Sequence, residues 1–386
     1  MRIGRILALS VLVLATTAVP VVRAGAEQST PAPTAAPAPL PADPTTATAA
    51  PSAPIASGPI TSAPAGPATT DPAPSDPAPV APASVDAAPP PPVAGGSNYD
   101  FYYLNGCNRE PYNVINGFAK APDLIGYQLG RMRAAGQDRL TIGVFHHHGA
   151  ESGAVMDSTG GKLSDADTKG LVDLLAAVKA AGFAEVTVAF DPIFANNPGS
   201  WGSWQQDLYN ENWQLVQQVH DVVTAAKLPY RIDLGNELTP STGQSVVMRY
   251  DQQLWRDYTA KYGRADTVGF SVNSNDPGQI PNVAKVYGDT PPPAFDIHVY
   301  GDEYNQFVGD DRQLRRQGYT TQPVIIGESY YNDPTAADGF AKGSKDSGRQ
   351  ILYLTQWPKT RTNAPQCDQV DVAPPLDFAA YRAAGF

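Results

Sequence analysis

Cationic side chains are scarce in this sequence: 27 Lys and Arg stand against 38 Asp and Glu, for a formal net charge of −11. No Lys or Arg occurs between Arg23 and Arg109. This balance disfavours nucleic acid, or any anionic polymer, as the main partner. Cysteine is nearly absent, with Cys107 and Cys367 alone, so the chain can close at most one internal disulfide. Long apolar runs are also missing. The stretch from Ile6 to Ala15 is too short to span a bilayer comfortably as a permanent helix. Glycine-rich phosphate turns are absent too. Asn105-Gly106-Cys107-Asn108 follows the first candidate strand, and no G-x-x-x-x-G-K-[ST] occurs, which argues against a nucleotide-binding open sheet.

What is present falls into three populations. Residues 1–26 have the layout of a secretory signal, with Arg2 and Arg5, the apolar stretch, and Ala24-Gly25-Ala26 as a cleavage site. After cleavage no stable membrane insertion is expected, and the protein is secreted or held in the cell envelope. Residues 27–96 contain twenty of the 38 prolines, among Ala, Thr and Ser. Such a segment cannot bury enough apolar area to offset its ordering entropy. Its proline density favours an extended, semi-stiff, disordered spacer, open to O-glycosylation. Residues 97–386 form the third population, long enough for a single large α/β domain, expected to be a monomer.

This last part alternates short β-branched runs with amphipathic stretches, the pattern of βα units around a parallel sheet. Eight strands are expected: Tyr102–Leu104, Arg139–Phe145, Glu185–Phe190, Tyr230–Leu234, Thr267–Val272, Phe295–Val299, Val324–Ile326 and Ile351–Thr355. Helices are expected over Asp123–Ala135, Ser164–Ala181, Gln205–Ala226, Ser245–Tyr262, Asn282–Tyr287, Asp310–Gln317, Ala336–Lys342 and Asp377–Ala384. The fold class is therefore α/β, a (β/α)8 TIM barrel, preceded by the disordered Pro/Ala-rich segment.

Barrel active sites form at the C-terminal ends of the strands. Strand four ends Leu234-Gly235-Asn236-Glu237, and strand six runs Asp296-Ile297-His298-Val299-Tyr300. Strand seven ends Ile326-Gly327-Glu328, and strand eight leads into Gln356-Trp357-Pro358. Strand two runs into His146-His147-His148, and strand three into Asp191-Pro192. Glu237 and Glu328 thus face each other across the barrel mouth. Two carboxyl groups about 5–5.5 Å apart, one protonated and one ionised, are what a retaining glycosidase needs.

The pattern resembles clan GH-A, the glycoside hydrolases with (β/α)8 barrels and paired glutamates on strands four and seven. The resemblance covers essentially residues 98–386, and a cellulase-like relative matches it best. It implies Glu237 as acid/base, Glu328 as nucleophile, and Asn236 as the partner of the sugar 2-hydroxyl. It further implies that His298 and Tyr300 serve the site, with the Tyr300 hydroxyl on the nucleophile, and that Trp357 is a platform under the sugar. Arg139 is a candidate for the clan's strand-two arginine, and His146, His147 and His148 compete for an imidazole at a strand end. The implied substrate is a β-linked polysaccharide or oligosaccharide, and no metal or organic cofactor is required.

Cys107 follows strand one and Cys367 follows strand eight. These are neighbours in a closed barrel, so a disulfide between the two loops is expected. Trp201, Trp204, Tyr330 and Tyr331 read equally as cleft walls or as packing. Asp191 reads as a turn residue or a ligand for sugar hydroxyls. Two rivals remain. A His146/His148 pair, with His298 across the barrel, could bind a divalent metal in a metal-dependent hydrolase. Alternatively the barrel binds carbohydrate without hydrolysing it.

Overall fold

The computed structural model describes residues 94–362 and 373–386. The expected signal and all but the end of the spacer, together with Cys367, lie outside the described residues.

Among the described residues, eight parallel barrel strands alternate with eight α-helices. The strands are β1 (Ala94–Asn98), β2 (Arg139–His147), β3 (Glu185–Pro192), β4 (Tyr230–Asp233), β5 (Thr267–Gly269 and Val272–Asn273), β6 (Phe295–His298), β7 (Val324–Glu328) and β8 (Ile351–Gln356). The helices are α1 (Pro122–Ala134), α2 (Asp165–Ala181), α3 (Gln206–Ala226), α4 (Ser245–Tyr262), α5 (Val283–Tyr287), α6 (Glu303–Arg316), α7 (Pro334–Ser347) and α8 (Ala379–Ala383). Each strand pairs in parallel with its neighbours, and β1 pairs with both β2 and β8. The sheet closes through β5. Its first segment pairs with β4 and its second with β6, so the two ends of the sheet are consecutive pieces of one strand. The expected α/β barrel is what the chain forms.

Why the helices form where they do is legible locally. Ser164 caps α2 by accepting from the Asp167 amide, and Gly182 ends it in the left-handed conformation. Both α6 and α7 start earlier than expected, because side-chain caps upstream nucleate them. Asp302 caps α6 eight residues before Asp310, and Asp333 with Pro334 opens α7. Along the strands, Ile142, Val144, Val186, Val188, Ile232 and Ile297 point outward into the apolar layer under the helices. The alternate residues point into the barrel. There Thr141 meets Thr355 at 3.2 Å, Thr187 meets Tyr353 at 2.8 Å and Arg231 meets Glu185 at 2.9 Å. No helix among the described residues is long and apolar enough to cross a membrane.

The first strand is a correction. Tyr103–Asn105 does not join the barrel but pairs antiparallel with Asn108–Arg109, with Cys107 in the turn between them. The barrel strand is Ala94–Asn98, beginning inside the segment assigned to the spacer. Its sequence, Ala-Gly-Gly-Ser-Asn, carries no apolar signal because packing forbids one. A Cβ on Gly95 would lie 2.4 Å from the Phe378 ring, and one on Gly96 would lie 1.7 Å from the Arg139 carbonyl oxygen.

Candidate active site

Glu328 ends β7, whose alternation would ordinarily turn it outward with Ile326. A register shift prevents this: Ile297 pairs with Ile326, but the next residue, His298, pairs with Glu328. Gly327 is the extra residue of the bulge, and Glu328 turns inward beside His298. Gly327 is required there, since a Cβ would sit 2.1 Å from an Asp296 carboxylate oxygen. The Gly327 carbonyl is held by Asn98 Nδ2 at 2.7 Å and Thr355 Oγ1 at 2.7 Å.

Glu237 stands on the turn after β4. Asp233 Oδ1 accepts from the amides of Gly235 (3.0 Å) and Ser271 (3.2 Å), and the Asn236 amide donates to the Phe190 carbonyl at 2.7 Å. Glu237 itself has φ +50°, the left-handed region that a residue with a Cβ enters only at a cost. Its amide donates to Ser271 Oγ at 2.7 Å.

The two carboxylates meet around one imidazole. His298 Nδ1 lies 3.1 Å from Glu237 Oε1 and 3.4 Å from Glu328 Oε1. Tyr300 donates its hydroxyl to Glu328 Oε2 at 2.8 Å, and Asn273 Nδ2 donates to Glu237 Oε2 at 2.9 Å. One oxygen from each glutamate and a ring nitrogen of His298 lie within 4.8 Å of one another. Glu328 is buried, whereas Glu237 is partly exposed to the cleft.

The electrostatics follow from this packing. Burial alone would lower His298, but the charge of Glu328, the bond to Glu237 and the charges of Asp296 and Glu237 outweigh it and push it up to about 10. His298 is therefore an imidazolium near neutral pH. Burial pushes Glu328 up to about 8; His298 opposes this rise and Glu237 adds to it. Asp191, on the inward face at the end of β3, is pushed up to about 8 by burial and by the charges of Glu237, Asp100 and Asp233. Burial likewise lifts Asp296 to about 7 against the pull of His298. The barrel mouth is thus crowded with acids around one histidine.

Of the residues expected at the site, Glu237, Glu328, His298 and Tyr300 converge. Asn236 lies beside Glu237, and among the described residues its side-chain amide bonds to no protein group, leaving it available to a ligand. Trp357 follows β8 half-buried, and its amide donates to the Ser329 carbonyl at 2.8 Å, one residue past Glu328. Two expectations fail. Arg139 opens β2 at the opposite end of the barrel, paired with Asp138 at 3.2 Å and lying over the Tyr353 ring. His146 shares the outward face of Ile142 and Val144. Its Nδ1 lies 3.0 Å from Ser158 Oγ, and burial pushes it down to about 3, which keeps it neutral.

The rival metal set also fails. His148 bonds Glu211 at 2.9 Å and His146 bonds Ser158, so neither joins His298. Among the described residues, the one group that could hold a metal ion is Glu237, His298 and Glu328 themselves. As an imidazolium, His298 would have to lose its proton before it could ligate one. Sequence reasoning missed Asn273, at the end of β5, and Asp100, in the loop after β1.

No protein-family model matches the chain, and no curated protein does. Solved structures do. One is the exo-β-1,4-mannosidase Op5Man5 from Opitutaceae bacterium strain TAV5, at TM-score 0.51 and 12% identity, over 76% of this chain and 60% of that one. This chain therefore spans less than two thirds of that mannosidase. A GH5_18 protein from Bifidobacterium longum subsp. infantis matches at 0.51 and 14%, over 76% and 79% of the two chains. A GH5_18 variant from Streptomyces cattleya in complex with Manβ1-4GlcNAc matches at 0.51 and 11%, over 76% and 80%. At these identities the likeness is one of architecture: the chain shares the fold of these proteins.

Proposed function

We propose that the chain is a secreted retaining glycoside hydrolase that cleaves a β-linked glycan by double displacement. The observation that carries this reading is the approach of Glu237 and Glu328 to within 4.8 Å at the barrel mouth. That spacing suits a direct attack on the anomeric carbon. The roughly 6.5–9.5 Å of an inverting pair leaves room for a water between carboxylate and sugar, and this site has none to spare.

The roles follow from surroundings. Glu328 is fixed by the bulge and receives the Tyr300 hydroxyl and His298, donors that favour its anion against burial. It attacks the anomeric carbon. Glu237, nearer solvent, gives its proton to the leaving oxygen, then takes one from the water that cleaves the glycosyl ester. One proton between the two carboxyls suffices for the first step. Asn236 is assigned to the sugar 2-hydroxyl, and Trp357 to one face of the ring. The mannosidase and the Manβ1-4GlcNAc complex among the structural neighbours make β-mannosides the first substrates to try. The test is NMR of the anomer first released from a β-glycoside panel. The β-anomer is expected; release of the α-anomer would overturn double displacement, and binding without hydrolysis would favour a non-catalytic barrel.

Export and the Cys107–Cys367 bond belong to the same proposal. The exported protein should begin after Ala26 and, unfolded, show no free thiol until it is reduced. A free thiol before reduction would remove the bond.

A further inference from the structure

Glu237 is gripped at three points by residues of β5 and the loop that follows it. Ser271 Oγ accepts from its amide at 2.7 Å, Gln279 Nε2 donates to its carbonyl at 3.0 Å, and Asn273 Nδ2 donates to its Oε2 at 2.9 Å. The grip is itself braced. Gln279, buried, also accepts from the Asn273 amide through Oε1 at 2.7 Å, so one side chain ties the two residues together. β5 is the strand split at Phe270–Ser271, and the split lets it reach both β4 and β6. Those two neighbours carry Glu237 and His298. The left-handed conformation of Glu237 is thus held from outside its own turn.

The amide of Asn273 has only one orientation open to it. Its Oδ1 accepts from the Asn275 amide at 2.9 Å, so its NH2 group must face Glu237. An NH2 group can only donate, so Asn273 holds Oε2 as its acceptor. We propose that Asn273 is a positioning residue that pins Glu237 through Oε2 and so sets the direction in which its carboxyl meets the leaving group. The other oxygen, Oε1, faces His298, on the side of Glu328. In the first step the proton passes from the Glu237 carboxyl to the glycosidic oxygen as the C–O bond breaks and Glu328 bonds the anomeric carbon. In the second, water gives a proton back to the Glu237 carboxylate as its oxygen displaces Glu328.

This inference rests on the reading of Glu237 as acid/base, and the experiment separates the two. Asn273→Ala and the isosteric Asn273→Asp are compared with wild type in full pH profiles of kcat/KM, on aryl glycosides with good and poor leaving groups. Removing a donor from a carboxylate lets it keep its proton to higher pH, so the alkaline limb of Asn273→Ala moves up by about one pH unit. Asn273→Asp sets a second carboxylate against Oε2, and the limb moves further the same way. Both lose roughly tenfold or more on poor leaving groups and much less on good ones. A residue that merely held the loop would lower activity evenly across pH and leaving groups. Limbs that stay at the wild-type pH in both variants overturn the proposal for Asn273, provided Glu237→Ala shows the loss and rescue of an acid/base. A Glu237→Ala variant with wild-type rates overturns the glycosidase reading itself.

Discussion

Glu328→Gln is expected to lower kcat/KM on every hydrolysed glycoside by on the order of 10⁵-fold, the scale at which a covalent nucleophile is lost. The neutral amide has the shape to accept the Tyr300 hydroxyl but cannot form the glycosyl ester. The loss should fall on kcat for good and poor leaving groups alike, because no departure of the leaving group helps an attack that does not occur. Binding should persist, since the cleft and Trp357 are unchanged. The substitution is close to isosteric, so the melting temperature is the control for folding. Stopped and continuous assays on aryl glycosides, with calorimetric binding of a product oligosaccharide, make the measurement. Residual turnover within tenfold of wild type, in a variant that melts normally, removes Glu328 as nucleophile.

Much of this site was legible in the sequence because the strands that carry it are short apolar runs with a polar residue at the end. Reading those ends leads directly to Glu237, His298, Tyr300 and Glu328. The failures have the same root. Reading an end says nothing of which face a side chain takes. His146 stands one residue before the end of β2 and shares the face of Ile142 and Val144, and counting by twos along the strand turns it toward the helices. Arg139 opens the same strand, and nine residues of strand separate the two rims. Glu328 inverts the lesson: counting by twos from Ile326 points it outward, and only the bulge at Gly327 brings it in. A Gly inside a strand is a hint of such a bulge, and not a proof. Asn273 was within reach, since it follows the apolar run of the fifth strand by one residue. β1 was not, because close packing against Phe378 and the Arg139 backbone strips it of every residue that would announce a strand.

Glu237→Ala should separate the two half-reactions. On a glycoside whose aglycone leaves well without protonation, the first step needs only Glu328, so the glycosyl ester forms and accumulates. Its hydrolysis needs a base for water, and that base is gone. Turnover should fall by roughly 10²–10⁴-fold, the worth of general acid–base catalysis, with a burst of aglycone before the slow phase. On a poor leaving group the first step fails as well, and the loss should be at the upper end of that range or beyond it. Azide is already an anion and needs no base. It should attack the anomeric carbon, displace Glu328 and release a glycosyl azide of the same configuration as the substrate. The small azide fits where the Glu237 carboxylate was, between Asn273 and His298, and His298 as a cation should help to draw it in. Restored turnover with a β-azide product would assign both halves of the mechanism at once. Azide that leaves the rate unchanged, with no burst on an activated substrate, would mean that Glu237 is not the acid/base. The close pair at the barrel mouth would then need another explanation.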